Sequence, residues 1–207
     1  MPAMLCGRDH WIFDLDGTLT VAIHDFAAIR RELDLPEGLP ILEALAELPD
    51  PERRWREERL DRLELELAKR AIAAPGARAL LDELTRRGAR LGILTRNSLE
   101  NARITLAACG LEGLFPKEWI CARELAAPKP DPAGIRRLLA GWDAMPSQTV
   151  MVGDYLFDLQ AGRAAGVLTV WIDTHGSGAY SEEAELTVRS PGEILARARP
   201  AQMNDGG

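Results

Sequence analysis

The sequence is poor in the features that mark secreted, membrane-bound or nucleic-acid-binding proteins. Its 207 residues include three cysteines, Cys6, Cys109 and Cys121, which are odd in number and widely spaced. They predict buried apolar side chains in a reducing cytosol rather than a disulfide framework. The net charge is −7 and no basic block stands out, which argues against nucleic acid or an anionic membrane surface as the main partner.

Long apolar runs, internal repeats and low-complexity segments are also missing. No stretch approaches the length that spans a membrane, and residues 1–10 lack the apolar core of a signal peptide. We therefore expect a cytoplasmic protein without a membrane partner. The hydrophobic fraction of 46% is enough for a sizeable core, and the length suits one domain with a modest insert.

Short apolar runs alternate with helical patterns along most of the chain. We interpret these runs as β-strands, at residues 11–15, 90–95, 119–122, 149–153 and 168–173. The alternation predicts an α/β fold, a doubly wound parallel sheet with helices on both faces. Ligands bind such sheets at the carboxyl ends of the strands, and Asp14, Thr95 and Asp154 each fall where a strand run ends.

Residues 23–74 interrupt the alternation with helical patterns alone. We predict three helices here: a short one with Phe26, Ile29 and Leu33 on one face, one over 41–48, and a long one with Asp50 as N-cap that Pro75 and Gly76 end.

The predicted organisation is therefore a core domain interrupted by a small all-helical cap after the first strand. The core comprises residues 1–22 and 75–199, and the cap comprises residues 23–74. We expect the polar residues 200–207 to form a flexible tail.

Two aspartates, Asp14 and Asp16, follow the first apolar run and precede Gly17. Residues at i and i+2 of an extended chain point the same way, and a glycine lets the chain turn sharply after them. The two carboxylates repel each other, so they require a bound cation, a shared proton or a role in chemistry. The alternative is that they merely cap a turn.

Three further polar motifs follow in order along the chain. Thr95-Arg96-Asn97 ends the second strand run, Lys129 lies between prolines, and Asp154 and Asp158 follow the fourth run. Each has a structural alternative. Asn97 or Ser98 could be a helix N-cap, Lys129 a surface lysine, and the two acids the N-cap and first-turn residues of the next helix.

The charges of these motifs indicate the chemistry. Asp14, Asp16, Asp154 and Asp158 carry four negative charges, against one positive charge on Lys129. A phosphate dianion cannot approach such a site unaided, and Mg²⁺ is the natural counter-ion because it prefers oxygen ligands. An aspartate could then attack phosphorus and form an aspartyl phosphate, while the second aspartate moves the proton.

The four motifs, in this order, resemble those of the haloacid dehalogenase-like hydrolase superfamily. The helical insert resembles the cap of its phosphoglycolate phosphatase and beta-phosphoglucomutase-like branch, and the similarity extends over residues 11–173. The resemblance implies a Rossmann-like core. It also implies that Asp14 is the nucleophile and a metal ligand, and that Asp16 is the general acid/base, with its backbone carbonyl on the metal.

The other roles are implied in the same way. Thr95 would bind phosphate through its hydroxyl, helped by the backbone near Arg96 and Asn97, and Lys129 would steady the nucleophile and the phosphate. Asp154 would bind the metal, and Asp158 would support the metal site directly or through Lys129. His24 could contact the substrate or leaving group, the alternative being a solvated hinge histidine. Tyr155 and Phe157 flank the acidic motif and are interpreted as packing residues that shape its rim.

The function expected from the sequence is a Mg²⁺-dependent phosphatase for a small phosphorylated metabolite. A phosphomutase of the beta-phosphoglucomutase type is an alternative, with Lys69 and the cap arginines as candidates to hold a second phosphate. A catalytically silent binding protein with the same fold is another. A dehalogenase ranks low because Asp16 is present. We expect a monomer, and a dimer is left open.

Overall fold

The computed structural model describes residues 3–5 and 7–198. These residues form a six-stranded parallel sheet of order β3-β2-β1-β4-β5-β6. The strands are β1 His10–Phe13, β2 Arg90–Leu94, β3 Ile120–Cys121, β4 Thr149–Gly153, β5 Leu168–Ile172 and β6 Leu186–Val188. The helices are α1 Phe26–Glu32, α2 Ile41–Ala46, α3 Asp50–Ala68, α4 Ala77–Arg86, α5 Leu99–Ala108, α6 Ala133–Trp142, α7 Leu156–Ala165 and α8 Pro191–Ala198.

The central strand β1 shows why the sheet is covered on both faces. Trp11 and Phe13 pack into one hydrophobic cluster with residues of α4, α5 and α8, whereas Ile12 packs into the other with residues of α6 and α7. Successive side chains of a strand point to opposite faces, so an uninterrupted apolar strand needs two covering layers. The predicted doubly wound parallel sheet is confirmed.

The segment between β1 and α4 contains helices only, and its core is separate from those of the sheet. Ile29, Leu33, Leu45 and Leu60 belong to a third hydrophobic cluster formed by α1, α2, α3 and the residues between them. The chain leaves and returns at one place, because the amide of Ala74 donates to the carbonyl of Leu19 at 2.8 Å. The segment from the start of α1 to the end of α3 is called the cap below, and the domain boundaries given above stay a prediction.

Several local predictions for the cap are wrong. Phe26 is 63% exposed and does not join the buried face that Ile29 and Leu33 form. Helix α3 begins at Asp50 with Pro49 as its N-cap, and it ends at Ala68 instead of reaching Pro75. Proline lacks a side-chain acceptor, and Asp50 instead contributes negative charge to the first turn, where the helix dipole favours it.

The remaining differences lie outside the cap. The sequence analysis missed β6, a three-residue strand at the edge of the sheet that is too short to show a periodicity. Cys109 is half-buried and Cys121 buried, and both are free thiols. Cys6 and the predicted tail over 200–207 lie outside the described residues. Among the helices that the structure describes, none has the length and apolarity needed to cross a membrane.

Candidate active site

The parallel sheet brings the predicted site residues to one edge. The backbone amide of Asp14 donates to Val152 of β4 at 2.9 Å, and the amide of Thr95 donates to Cys121 of β3 at 3.1 Å, so the sheet pairing continues just past the strand ends. A cavity of about 660 Å³ opens there between the sheet edge and the cap. Its lining includes every predicted site residue: Asp14, Asp16, His24, Thr95, Arg96, Asn97, Lys129, Asp154 and Asp158.

Lys129 lies at the buried end of this cavity, between two carboxylates. Its ammonium group contacts Asp14 and lies 2.5 Å from Asp158. Burial opposes the charged form of this lysine, but the two neighbouring carboxylates outweigh burial and raise its pKa. Lys129 therefore stays charged, and the alternative of a surface lysine is wrong because only 3% of the residue is exposed.

The acids around Lys129 carry more negative charge than one lysine can balance. Oxygen atoms of Asp14, Asp154 and Asp158 all lie within 4.8 Å of one another. Burial raises the pKa of Asp154 to about 8, and the carboxylates of Asp14 and Asp158 add to the rise. Burial raises the pKa of Asp14 as well, against the opposing effect of Lys129. This set of clustered oxygen donors, short of positive charge, fits a hard divalent cation such as Mg²⁺.

Asp158 differs from the other two acids because both of its oxygens already have partners. One oxygen accepts from Lys129 and the other accepts from the backbone amide of Tyr155 at 3.0 Å. The latter contact closes the first turn of α7, whose N-cap is Tyr155, so Asp158 serves the start of a helix as well as the site. Burial raises its pKa to about 6.

The turn after β1 positions Asp154 closely. Gly17 has a φ of +90°, and a Cβ at this position would lie 2.3 Å from a carboxylate oxygen of Asp154. The hydroxyl of Thr18 donates to the other oxygen at 3.2 Å, and the indole of Trp171 donates to the Asp154 carbonyl at 3.0 Å. Glycine is therefore required at residue 17 for both its backbone conformation and its lack of a side chain.

Asp16 is half-buried and is oriented by the loop that follows β2. Its carboxylate accepts from the side-chain amide of Asn97 at 3.3 Å. The backbone amide of Asn97 donates to the hydroxyl of Thr95 at 3.0 Å, and Ser98 is the N-cap of α5. Ser98 is thus a helix N-cap, as the structural alternative for this motif predicted. Thr95 and Asn97 nevertheless line the cavity.

The side chain of Arg96 extends from the loop after β2 and reaches the cap. Its guanidinium lies 2.5 Å from the carboxylate of Glu43 on α2, donates to the Lys129 carbonyl, and lies 5.2 Å from the ring centre of Phe157. The sequence analysis assigned no role to Glu43. Nothing in the local pattern could have identified it, because its partner is 53 residues away.

Further residues that the sequence analysis did not assign to the site also line the cavity. They are Phe26, Arg30, Gly38, Leu39, Pro40, Ile41 and Leu42, all from the cap. His24 is half-buried, lines the cavity and stacks on Phe26 with 5.6 Å between ring centres. The ring of Phe157 and the exposed ring of Tyr155 complete the wall on the core side.

Comparisons with known proteins agree with this architecture. The phosphoglycolate phosphatase of Rhodospirillum rubrum is 33% identical over an alignment of 186 residues that covers 77% of this chain and 77% of that protein. A haloacid dehalogenase-like hydrolase domain-containing protein of Arabidopsis thaliana is 31% identical over 178 residues, covering 80% of this chain and 71% of that protein. The crystal structure of a hydrolase from Pseudomonas syringae has the same fold, with a TM-score of 0.78 at 23% identity over 92% of this chain and 97% of that one.

The resemblance noted from the four motifs is therefore confirmed. The sequence model of the haloacid dehalogenase-like hydrolase family matches residues 9–166 of this chain. This range contains Asp14, Thr95, Lys129 and Asp154. The chain belongs to the haloacid dehalogenase-like hydrolase family.

Proposed function

We propose that this hydrolase is a Mg²⁺-dependent phosphatase that acts on a small phosphorylated metabolite through an aspartyl-phosphate intermediate. Its family and its phosphatase-named relatives support a phosphoric monoester hydrolase. The observation that carries the mechanism is the contact of Asp14 with the buried Lys129, in a cavity that Asp16 and Asp154 also line.

Asp14 is proposed as the nucleophile. Lys129 favours the charged form of this buried carboxylate, and ionisation is a condition for attack. A carboxylate oxygen of Asp14 forms the new bond to phosphorus as the bond to the leaving alcohol breaks. Lys129 and the hydroxyl of Thr95 would stabilise negative charge on the transferring group.

Asp16 is proposed as the general acid and base. It gives a proton to the leaving oxygen, and then takes a proton from the water that attacks phosphorus in the aspartyl phosphate. That second attack breaks the phosphorus–oxygen bond to Asp14, releases phosphate and returns Asp14 to its carboxylate form. The amide of Asn97 holds the Asp16 carboxylate in place for both transfers.

The proposed Mg²⁺ ligands are the carboxylates of Asp14 and Asp154 and the backbone carbonyl of Asp16. When bound, the ion supplies the positive charge that lets a phosphate dianion approach these acids. Asp158 supports the site through its contact with Lys129. The cap residues along the cavity exclude bulk water while the phosphoryl group is transferred.

The test is phosphate release from an aryl phosphate, with and without Mg²⁺. We expect Asp14→Asn to lower kcat by at least about a thousandfold, because amide nitrogen and oxygen are poor nucleophiles. The control is Asp131→Asn, an exposed acid two residues after Lys129 whose role as a turn acceptor asparagine preserves. Near-normal turnover by a folded Asp14→Asn variant would refute the assigned nucleophile.

A further inference from the structure

Besides the acids, the cavity has an apolar wall. It is made of Phe26, Leu39, Ile41 and Leu42 from the cap, and of Tyr155 and Phe157 from the core. The cavity therefore combines two chemistries: Lys129 and carboxylates at its buried end, and more exposed apolar side chains from both the cap and the core. The buried end suits a phosphoryl group, so the apolar end faces the group that leaves.

Three of these apolar side chains are exposed, whereas Ile41, Leu42 and Phe157 are partly buried and Ile41 and Leu42 also pack against the core of the cap. Phe26 is 63% exposed, Tyr155 50% and Leu39 38%. The core of the cap does not use Phe26, because Ile29 and Leu33 of the same segment fill it. Large apolar surface left open to water is unfavourable, and when it clusters in one place it marks a binding surface.

The aromatic rings of this wall are held in place by their neighbours. On the cap side, Phe26 stacks against His24 with an angle of 15° between the rings. On the core side, Tyr155 makes edge-to-face contacts with Phe157 at 5.0 Å and with Tyr180 at 5.8 Å. Rings fixed in this way lose little conformational entropy when a ligand packs against them.

The cations near this wall are engaged with protein groups. Arg96 is paired with Glu43, and Arg30 donates to the carbonyl of Pro36 at 2.6 Å and to that of Leu39. Lys129 is held by Asp14 and Asp158. A second anionic group on the substrate would have to compete with the Glu43 carboxylate for Arg96 and with two backbone carbonyls for Arg30, whereas an apolar group would meet the open wall directly.

The volume of the cavity agrees with a substrate larger than a phosphorylated two-carbon acid. The 660 Å³ found here falls inside the range of about 300–1,000 Å³ that is typical of pockets for drug-sized ligands. A phosphoryl group at the acidic end would leave most of this space to the leaving group.

We propose that the substrate is a phosphate monoester whose leaving alcohol carries an apolar ring, and that Phe26 and Tyr155 determine this specificity. The inference rests on the proposed phosphatase function. The specificity would arise from apolar contact with the leaving alcohol and not from pairing with a second anionic group.

The experiment compares three phosphate monoesters of primary alcohols: 2-phenylethyl phosphate, ethyl phosphate and 2-phosphoglycolate. Their leaving groups are all alkyl alkoxides, so differences in kcat/KM report mainly on binding of the remainder. We expect the wild type to prefer 2-phenylethyl phosphate over ethyl phosphate by about tenfold to a hundredfold, the effect of burying one phenyl ring. We expect 2-phosphoglycolate to show no advantage over ethyl phosphate.

The variants Phe26→Ala and Tyr155→Ala should each reduce this preference severalfold. The matched control is Trp55→Ala, since Trp55 is a large aromatic residue of the cap that is 54% exposed but lies outside the cavity lining. The preference should persist in this control. Folding of all variants is checked by thermal unfolding, and their oligomeric state by sedimentation.

Other outcomes overturn the proposal. A wild type that hydrolyses the three esters equally, or that prefers 2-phosphoglycolate, is a phosphatase without the inferred specificity. If Phe26→Ala turns a dimer into a monomer without changing the preference, the exposed ring is an interface between copies of the chain. If the wild type hydrolyses none of the three esters and does not hydrolyse the aryl phosphate, the phosphatase function itself is refuted, and the inference with it.

Discussion

The guanidinium of Arg96 and the carboxylate of Glu43 lie 2.5 Å apart, and this ion pair joins the loop after β2 to helix α2 of the cap. The same guanidinium donates to the carbonyl of Lys129 and lies over the ring of Phe157. One side chain thus contacts the cap, the loop that carries Lys129, and α7. The position of the cap over the cavity is coupled to the loop that carries Thr95.

We expect Glu43→Gln to weaken this coupling without unfolding the protein. The pair is partly exposed, with 22% of the Arg96 side chain and 35% of the Glu43 side chain accessible, so its loss costs at most about 1 kcal/mol. Because the cap then closes less often, KM for an aryl phosphate rises by up to about fivefold. Glu47→Gln, an exposed glutamate that follows the same helix, is the control. Equal KM values for both variants would exclude a role of the pair in closure.

Gly17→Ala tests whether the turn after β1 positions Asp154. Both Gly17 and Gly88 have positive φ, so alanine at either position costs roughly 1–2 kcal/mol of stability. Only at Gly17 does the new Cβ meet Asp154, whereas nothing lies within 4 Å at Gly88. We therefore expect Gly17→Ala to lower Tm at least as much as Gly88→Ala, and to lose about a hundredfold in kcat that Gly88→Ala does not lose. An equal loss in Gly88→Ala would mean that strain, and not Asp154, is responsible.

Glu64 provides a prediction about pH. Burial raises its pKa to about 7, although Arg123 lies 2.9 Å away and opposes the rise. An acid with a raised pKa in the folded state contributes stability that is fully present below its unfolded pKa of about 4.5 and is lost as the pH rises through 7.

We therefore expect the free energy of unfolding of the wild type to fall relative to that of Glu64→Gln between about pH 5 and pH 8. The difference is on the order of 2–3 kcal/mol, and urea titrations at several pH values measure it. Comparison with the variant cancels the titration of Asp14, Asp154 and Asp158, which both proteins share. A pH-independent difference would show that Glu64 keeps the same charge in the folded and unfolded chains.

Metal removal gives a prediction for Asp154. Because three carboxylates, two of them buried, cluster within 4.8 Å, bound Mg²⁺ relieves their repulsion and stabilises the folded chain. At a hundredfold excess over Kd this stabilisation is about 2.7 kcal/mol, which raises Tm by about 5 °C or more.

We expect Asp154→Asn to abolish the rise in Tm and to unfold at a higher temperature than the wild type in EDTA. Asp143→Asn is the control, since Asp143 is an exposed acid with positive φ that asparagine tolerates. Calorimetry with and without Mg²⁺ measures both effects. A Mg²⁺-dependent rise that survives in Asp154→Asn would place the ion elsewhere.

The sequence by itself determined five of the six strands that the structure describes, and the position of the acids at their ends. The apolar runs around Trp11, Ile93 and Val152 are strands that are buried except at the first residues of β1 and β2, and a polar residue follows each of them. Parallel strands end at a common edge, so chain order was sufficient to bring Asp14, Thr95 and Asp154 into one cavity. Local patterns were enough here because each strand is apolar on both faces and each polar residue marks its end.

Only the tertiary structure decided how the cap meets that edge. The pairing of Arg96 with Glu43, the contact of Arg123 with Glu64, and the exposure of Phe26 toward the cavity depend on how α1, α2 and α3 pack over the sheet. Helical periodicity assigns a residue to a face but does not determine what that face meets. These contacts join residues that are distant in the chain, so their geometry arises from packing and leaves no local signal in the sequence.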